Sequence, residues 1–324
     1  MKQIRHLLLV LCSATLATPM LSAQTHHHHA EEYSPTVYIT SKEHHKSDAH
    51  HKVVDRFKDT HRCGFQQTQP PQFIFTSQDK RFALGIGGYV NLRTSYDFNG
   101  AMGNIDFVPY DIPMSQGYAN KQRIMMDAST SRLFVKAVVQ SEKLGQVLVY
   151  ADMDFRGGAE FTYIPRLRSA YINLKGFTIG RDVTTFCDLN AAPTTIDFQG
   201  PNAYNFAFNQ MIRYEHSCWN NHIKFGVAAE MPSVNGTYGE HFSPIYQRVP
   251  DGIAYLQYSW GENKSSHLRA SAVIRDMYLH NNRTGENTTQ LGWGVQLSGH
   301  INVSRWVDIY MNGVYGRGIT PYIQ

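Results

Sequence analysis

The sequence predicts an all-β fold, a transmembrane antiparallel β-barrel. Three observations carry that expectation. A two-residue hydrophobic rhythm returns along the chain. Long and short connections alternate between the rhythmic segments. Arginines fall on the polar side of the rhythm, downstream of an N-terminal secretory signal.

The rhythm is clearest at Leu268 to Asp276, where Leu268, Ala270, Ala272 and Ile274 alternate with Arg269, Ser271, Val273 and Arg275. Ile223, Phe225, Val227 and Ala229 alternate in the same way with Lys224, Gly226, Ala228 and Glu230, and weaker versions run through Tyr89 to Tyr96, Gln210 to Glu215 and Val307 to Met311. Successive strand side chains point to opposite faces, so each segment has one apolar and one polar face. A soluble sandwich also alternates. The signal, the loop lengths and the arginines favour a barrel with its apolar face toward lipid and its polar face toward water.

Composition agrees. No run of eighteen apolar residues follows the N-terminal segment, which excludes a helical membrane span. A mean hydropathy of −0.38 does not exclude a barrel, because only every second strand residue meets lipid. The 19 Tyr and 17 Phe suit interfacial girdles and equally suit ordinary strand propensity. A formal net charge of +4, dispersed along the chain, argues against a nucleic-acid partner. Gly85 to Gly88 lies within a strand pattern and precedes no helix, so it is not a phosphate loop, and no cofactor is expected.

At the N-terminus, Lys2 and Arg5 precede an apolar stretch from Leu7 to Met20, and Leu21-Ser22-Ala23 forms a cleavage site. Residues 1–23 therefore read as a Sec-type signal peptide that exports the chain toward a Gram-negative outer membrane. No small residue directly precedes Cys12, so lipidation is not expected. Cys63, Cys187 and Cys218 remain after cleavage, and their spacing fits no metal motif. Residues 24–80 form a His-rich polar leader with little to bury. His44, His45, His50 and His51 are weak candidate metal ligands within it, against the alternative of a solvated periplasmic linker.

The barrel is expected over residues 81–324. The first strand runs from Arg81 to Phe98 and returns, after a loop from Asn99 to Asn120, as Gln122 to Val139. Val147–Phe155, Arg166–Leu174 and Phe177–Arg181 follow across tight turns and a glycine-containing loop. Met211–His216 and His222–Ala229 follow the long segment at about 182–209, and Ile253–Trp260 and His267–Tyr278 follow a loop from Pro232 to Asp251. A loop from His280 to Thr289 leads to Leu291–Val303 and Trp306–Arg317. That makes about eleven strands, whereas a closed single-chain barrel uses an even number. The sequence thus reads as a C-terminally truncated barrel, and at about 22 residues per strand sixteen strands would need on the order of 100 more residues.

The segment at 182–209 is the second strong signal. It contains Gly180-Arg181-Asp182-Val183-Thr184-Thr185-Phe186, then Ile196-Asp197-Phe198-Gln199-Gly200-Pro201-Asn202, then Ile212-Arg213-Tyr214. With Leu84-Gly85-Ile86-Gly87-Gly88-Tyr89-Val90 and Ser131-Arg132-Leu133-Phe134, these stretches resemble the DcaP-like porins, well over residues 81 to 217 and in pattern beyond. The resemblance implies a trimeric sixteen-stranded outer-membrane channel, with the 182–209 loop as its constriction and a preference for small anions such as dicarboxylates. The family often carries a coiled-coil stalk, and this leader lacks heptads.

Alternation assigns the faces. Arg166 and Arg168 share one face, Arg213 and Glu215 share another, Lys224 opposes Ile223 and Phe225, and Arg269 and Arg275 oppose the aliphatics. An arginine in lipid at mid-bilayer costs roughly 2–4 kcal/mol, so these cations are expected to line the pore. Facing loop residues Asp188 and Asp197, they would set up a transverse field that attracts anions. The alternative is a rim position against lipid phosphates or neighbouring carboxylates. The function expected is passive diffusion of small hydrophilic, mainly anionic solutes, with outer-membrane lipid and two further copies as partners. The alternative is an outer-membrane barrel with a phospholipase-like enzymatic or a structural role. His216–Ser217 and His241–Ser243 are the available pairs for catalysis, without a supporting pattern. No enzyme is expected.

Overall fold

In the computed structural model, residues 36–39, 72–77 and 81–323 are described, except 101–111, 113, 115–116, 119–120, 160–161, 194, 196–199, 202–203 and 235–237. Sixteen strands follow in chain order: β1 Thr36–Ile39, β2 Gln72–Thr76, β3 Phe82–Tyr89, β4 Arg93–Asn99, β5 Lys121–Asp127, β6 Arg132–Ser141, β7 Gly145–Asp154, β8 Arg166–Leu174, β9 Phe177–Val183, β10 Phe208–Cys218, β11 Ile223–Glu230, β12 Phe242–Pro244, β13 Asp251–Trp260, β14 Ser266–Asn281, β15 Glu286–Ser304 and β16 Val307–Arg317. The described residues contain no α-helix. One sheet runs β1-β2-β3-β6-β7-β8-β9-β10-β11-β13-β14-β15-β16, with β12 added beside β14, while β4 and β5 pair separately. Neighbours are antiparallel except β1 on β2.

The faces are inverted relative to a water-soluble domain. On β14, Ile274 is 59% exposed and its neighbour Arg275 is 2% exposed. On β15, Val295 and Leu297 are exposed while Gln296 and Ser298 are buried. Ile179, Ile212, Val227 and Leu256 continue the apolar outer surface across β9 to β13. Arg168, Asp182, Arg213 and Glu230 lie on the inner side. The all-β antiparallel fold with an apolar exterior is thus as the sequence alternation predicts.

Four details differ from the sequence expectation. The first two expected strands are each broken in two. Asn91 N–H donates to Ser131 Oγ at 3.0 Å, and Asp127 Oδ2 accepts from the Ser129 amide and hydroxyl at 3.1 and 2.7 Å. This side-chain-capped turn diverts β4 and β5 into their own ribbon while β3 pairs directly with β6. Second, the sheet reaches into the expected leader, because β2 pairs with β3 and buries Ile74. Ile74, Ala83, Val138, Leu148 and Tyr171 make an apolar cluster on the inner side, where alternation alone predicts polar residues. Third, the expected loop His280–Thr289 is largely strand. β14 and β15 stay paired to Asn281 and Glu286, and the tight turn is closed by Gly285 N–H to Asn281 O at 2.9 Å. The polar sequence looks loop-like, yet His280 Nδ1 meets Asn287 Oδ1 across the ribbon at 2.7 Å. Fourth, the long connection at 232–251 contains β12, which pairs with Leu279–Asn281. Long and short connections therefore do not alternate strictly.

Candidate functional site: a loop folded over a charged inner face

The connection between β9 and β10, residues 184–207, is the expected long loop, closed at its root by Thr184 N–H to Ala207 O at 2.9 Å and bridged at Asn205 to Ile323. It leaves β9 and makes contacts on β10, β11, β13, β14, β15 and β16. In sheet order β9 to β15 is five strand steps, about 24 Å along the sheet. The loop thus crosses the inner face rather than extending the wall.

Its stem is fixed first. Thr185 N–H and Thr184 Oγ1–H donate to the two oxygens of Glu230 on β11, at 2.6 and 2.7 Å, and Asn209 Nδ2 donates to the same carboxylate at 2.9 Å. Arg269 on β14 donates to the Thr185 carbonyl and lies 3.6 Å from the centre of the Tyr255 ring. Phe186 then packs with Ala228, Ile253, Val273, Ile319 and Tyr322. Two polar anchors follow. Asp188 Oδ2 accepts from Ser298 Oγ at 2.7 Å and meets His267 Nε2 at 2.9 Å, while Tyr204 O–H donates to the Asp188 carbonyl. Asn205 Nδ2 donates to Phe186 O at 2.9 Å, and its Oδ1 accepts from Gln296 at 3.1 Å and Asn312 at 2.8 Å. Burial alone would raise the Asp188 carboxyl. The His267 hydrogen bond, the Arg269 charge and the Ser298 hydroxyl outweigh it and hold Asp188 below its ordinary range.

Around this loop the inner face is a lattice of ion pairs. Arg168 pairs with Asp154 at 3.0 Å, and Arg166 pairs with the same carboxylate at 2.6 Å. Arg213 pairs with Asp182 at 2.9 Å and with Glu215 at 3.3 Å, and Lys224 reaches Glu215 at 3.0 Å. Arg275 pairs with Asp251 at 2.9 Å, and Tyr322 O–H donates to that carboxylate at 2.8 Å. A bulge at Asp152–Met153 lets both Arg168 and Ser169 turn inward.

Every described residue expected at the pore therefore lies on the inner side, in three settings. Arg168, Arg213 and Arg275 are buried in ion pairs. Asp188 is buried as a loop anchor. Lys224, Glu215 and Arg269 keep partial exposure. Asp197 lies outside the described residues, as do His44, His45, His50 and His51. The carboxylates Asp152, Asp154, Asp182, Glu230 and Asp251, with His267, Ser298 and Asn205, were not singled out from the sequence. The parity that selected the arginines also selects the strand carboxylates, since Asp152 and Asp154 share one face of β7. Nothing comparable marks Asn205, whose partners lie on distant strands.

The two His–Ser pairs are engaged elsewhere at His216 and Ser243. His216 stacks on Tyr214 and meets the Phe225 ring at a tilt, and Ser243 Oγ donates to Asn282 Oδ1 at 3.0 Å. No cluster of His, Cys, Asp or Glu that could hold a metal occurs among the described residues, and Cys187 and Cys218 are free thiols.

An apolar exterior, a charged interior and backbone groups satisfied strand to strand suit a lipid surround. The protein is of the class of outer-membrane β-channels, and here a long loop lies across the inner face of the sheet. The chain belongs to the DcaP outer membrane protein family, which matches residues 75–322. Among solved structures it is similar to the outer membrane channel DcaP of Acinetobacter baumannii, with a TM-score of 0.62 and 19% identity, covering 77% of this chain and 68% of that one. At that identity the likeness is one of fold. No curated protein matches the chain.

Proposed function

We propose that this outer-membrane channel passes small hydrophilic anions, such as dicarboxylates, by passive diffusion past the 184–207 loop. The observation that carries the proposal is the unequal exposure of the paired charges. In the Arg166–Asp154 pair the cation is 39% exposed and the carboxylate 0%, and in the Lys224–Glu215 pair the values are 40% and 20%. Arg269 is half-buried, and among the described residues its guanidinium donates to Ser271 Oγ and the Thr185 carbonyl. At these positions a solute on the inner side meets cations first, with the carboxylates behind them, and the local field there favours anions. Arg168, Arg213 and Arg275 serve as the framework that holds the wall. The proposal includes a trimeric assembly and an exported precursor with residues 1–23 as signal, followed by a polar leader whose β1 and β2 join the sheet.

The test is the reversal potential in planar bilayers under a KCl gradient. The wild type should favour chloride, and Lys224→Glu with Arg269→Gln should shift the reversal potential toward potassium. An unchanged reversal potential in a variant that still conducts would sink the assignment of these cations.

A further inference from the structure

We infer that Arg181 forms a binding site for the phosphate of an outer-leaflet lipid headgroup on the outside of the wall. Four observations place it there. Strand parity sets Arg181 on the same face as Phe177 and Ile179, opposite the inward Thr178 and Asp182. Its ladder partners are Ala170 on β8 and Gln210 on β10, so a small residue and an exposed amide flank it. The next outward row toward the short turn is Ile179 beside Ile212, both more than half exposed. Arg181 is also two residues from Val183, the last paired residue of β9, and Met231, which bonds to Gln210 O at 2.8 Å, already lies past the end of β11.

On β9 and β10 the exposed aliphatic pair Ile179 and Ile212 gives way to the polar pair Arg181 and Gln210 on the side of the long loop, while Leu167 on β8 remains exposed beyond them. An arginine on this face is costly at the bilayer midplane and nearly free at the headgroup level. The guanidinium is also held in place. Its Nε–H donates to Leu167 O at 3.4 Å, and its centre lies 5.7 Å from the Phe208 ring. Nη1 and Nη2 make no hydrogen bond among the described residues. Gly180 makes this approach feasible: its φ is +139°, and a Cβ there would collide with the Ala170 carbonyl, so β8 and β9 close up directly beneath Arg181. A cation with two unused donor groups, bordered by Leu167, Ile179 and Ile212, fits a phosphate attached to acyl chains better than a soluble anion, which would leave the apolar border uncovered.

The inference rests on the outer-membrane reading of the sheet, and the experiment separates the two. The full chain, folded in detergent, is titrated with bisphosphorylated lipid A, with the same lipid after phosphatase treatment, and with inorganic phosphate, and bound adducts are counted by native mass spectrometry. Folding of each variant is checked by heat-modifiable migration and channel activity by conductance. Wild type and Arg181→Lys should retain intact lipid A. Arg181→Gln should bind it about tenfold more weakly, the size of one charge-assisted hydrogen bond, with conductance unchanged. Phosphatase-treated lipid should bind all three alike. Equal lipid A binding by wild type and Arg181→Gln overturns the inference, and so does displacement of lipid A by inorganic phosphate, which would make this a soluble-anion site. Loss of self-assembly in Arg181→Gln, with lipid binding intact, also overturns it by making the face a contact between copies. A wild type that conducts but holds no lipid A defeats this inference alone, whereas one that does neither defeats the membrane reading.

Discussion

Asp188→Asn is the most direct probe of how the loop is held. The side chain is 1% exposed, and its Oδ2 serves both Ser298 and His267, on two different strands. Asparagine preserves the shape and one acceptor but removes the charge and presents an amide group to one former donor. Hydrogen bonds to charged groups contribute about 1.5–3 kcal/mol each, so weakening two while keeping one neutral acceptor should cost roughly 2–4 kcal/mol of docking free energy. That shifts the ratio of undocked to docked loop about 30- to 700-fold. The stem should stay in place, because Glu230 still holds Thr184 and Thr185 and Asn205 still bridges to Gln296 and Asn312. The expected single-channel record is a wild type with a steady level and an Asp188→Asn channel with frequent steps to a larger one. A variant channel with the same mean conductance and noise as wild type would refute the view that this carboxylate pins the loop.

Two further predictions concern charge. Removing Arg275 leaves Asp251, fully buried, with Tyr322 as its hydrogen-bond partner. Arg275→Met should therefore lower stability by about 3–5 kcal/mol, less whatever Asp251 recovers by taking up a proton; urea unfolding in lipid vesicles checks this, Arg275→Met with Asp251→Asn should recover part of the loss, and a cost under about 1 kcal/mol would count against a buried pair. The second is a pH response. Because the Asp188 carboxyl is depressed in the folded protein, its contribution is complete above its ordinary value near about 4 and fades only as pH falls through the lower folded value. Titrating this group should leave the current steady from neutral pH down to about 4, with loop flicker appearing only in stronger acid.

How much of this was legible in the sequence depends on the range of the interactions. Parity is local, so it correctly put Ile274 outside and Arg275 inside without any knowledge of neighbouring strands. It failed where a single side chain redirects the chain. Asp127 and Ser131 look like ordinary polar strand residues, yet their capping bonds end the first hairpin and send β4 and β5 into a separate ribbon. It also failed at Glu286 to Thr289, where a polar run reads as loop but a long paired ribbon supplies its cross-strand partners. The anchors of the loop were beyond reach for a different reason. Asp188 meets Ser298 at a separation of 110 residues, and nothing near Asp188 specifies that contact.

These pairings change what the arginines can be asked to do. From parity alone, charge reversal at Arg213 and Arg275 looks like the natural test of anion preference. In the structure Arg213→Glu would set a carboxylate against Asp182 and Glu215, and Arg275→Glu would set one against Asp251, all on the inner side. Such variants would lose current by misfolding and say nothing about selectivity. The residues able to report selectivity are those whose charge reaches water more than that of their partners. By that criterion Lys224, Arg166 and Arg269 are the informative positions, and of these Arg269 is the most telling. It also holds the Thr185 carbonyl at the root of the loop. Arg269→Lys keeps the charge but cannot reproduce the guanidinium contacts to Thr185, Ser271 and the Tyr255 ring. If Arg269 acts through the field, this variant keeps anion preference and gains loop noise. If it acts only as a strut, noise rises in Arg269→Lys and Arg269→Gln alike, and the reversal potential stays at the wild-type value in both.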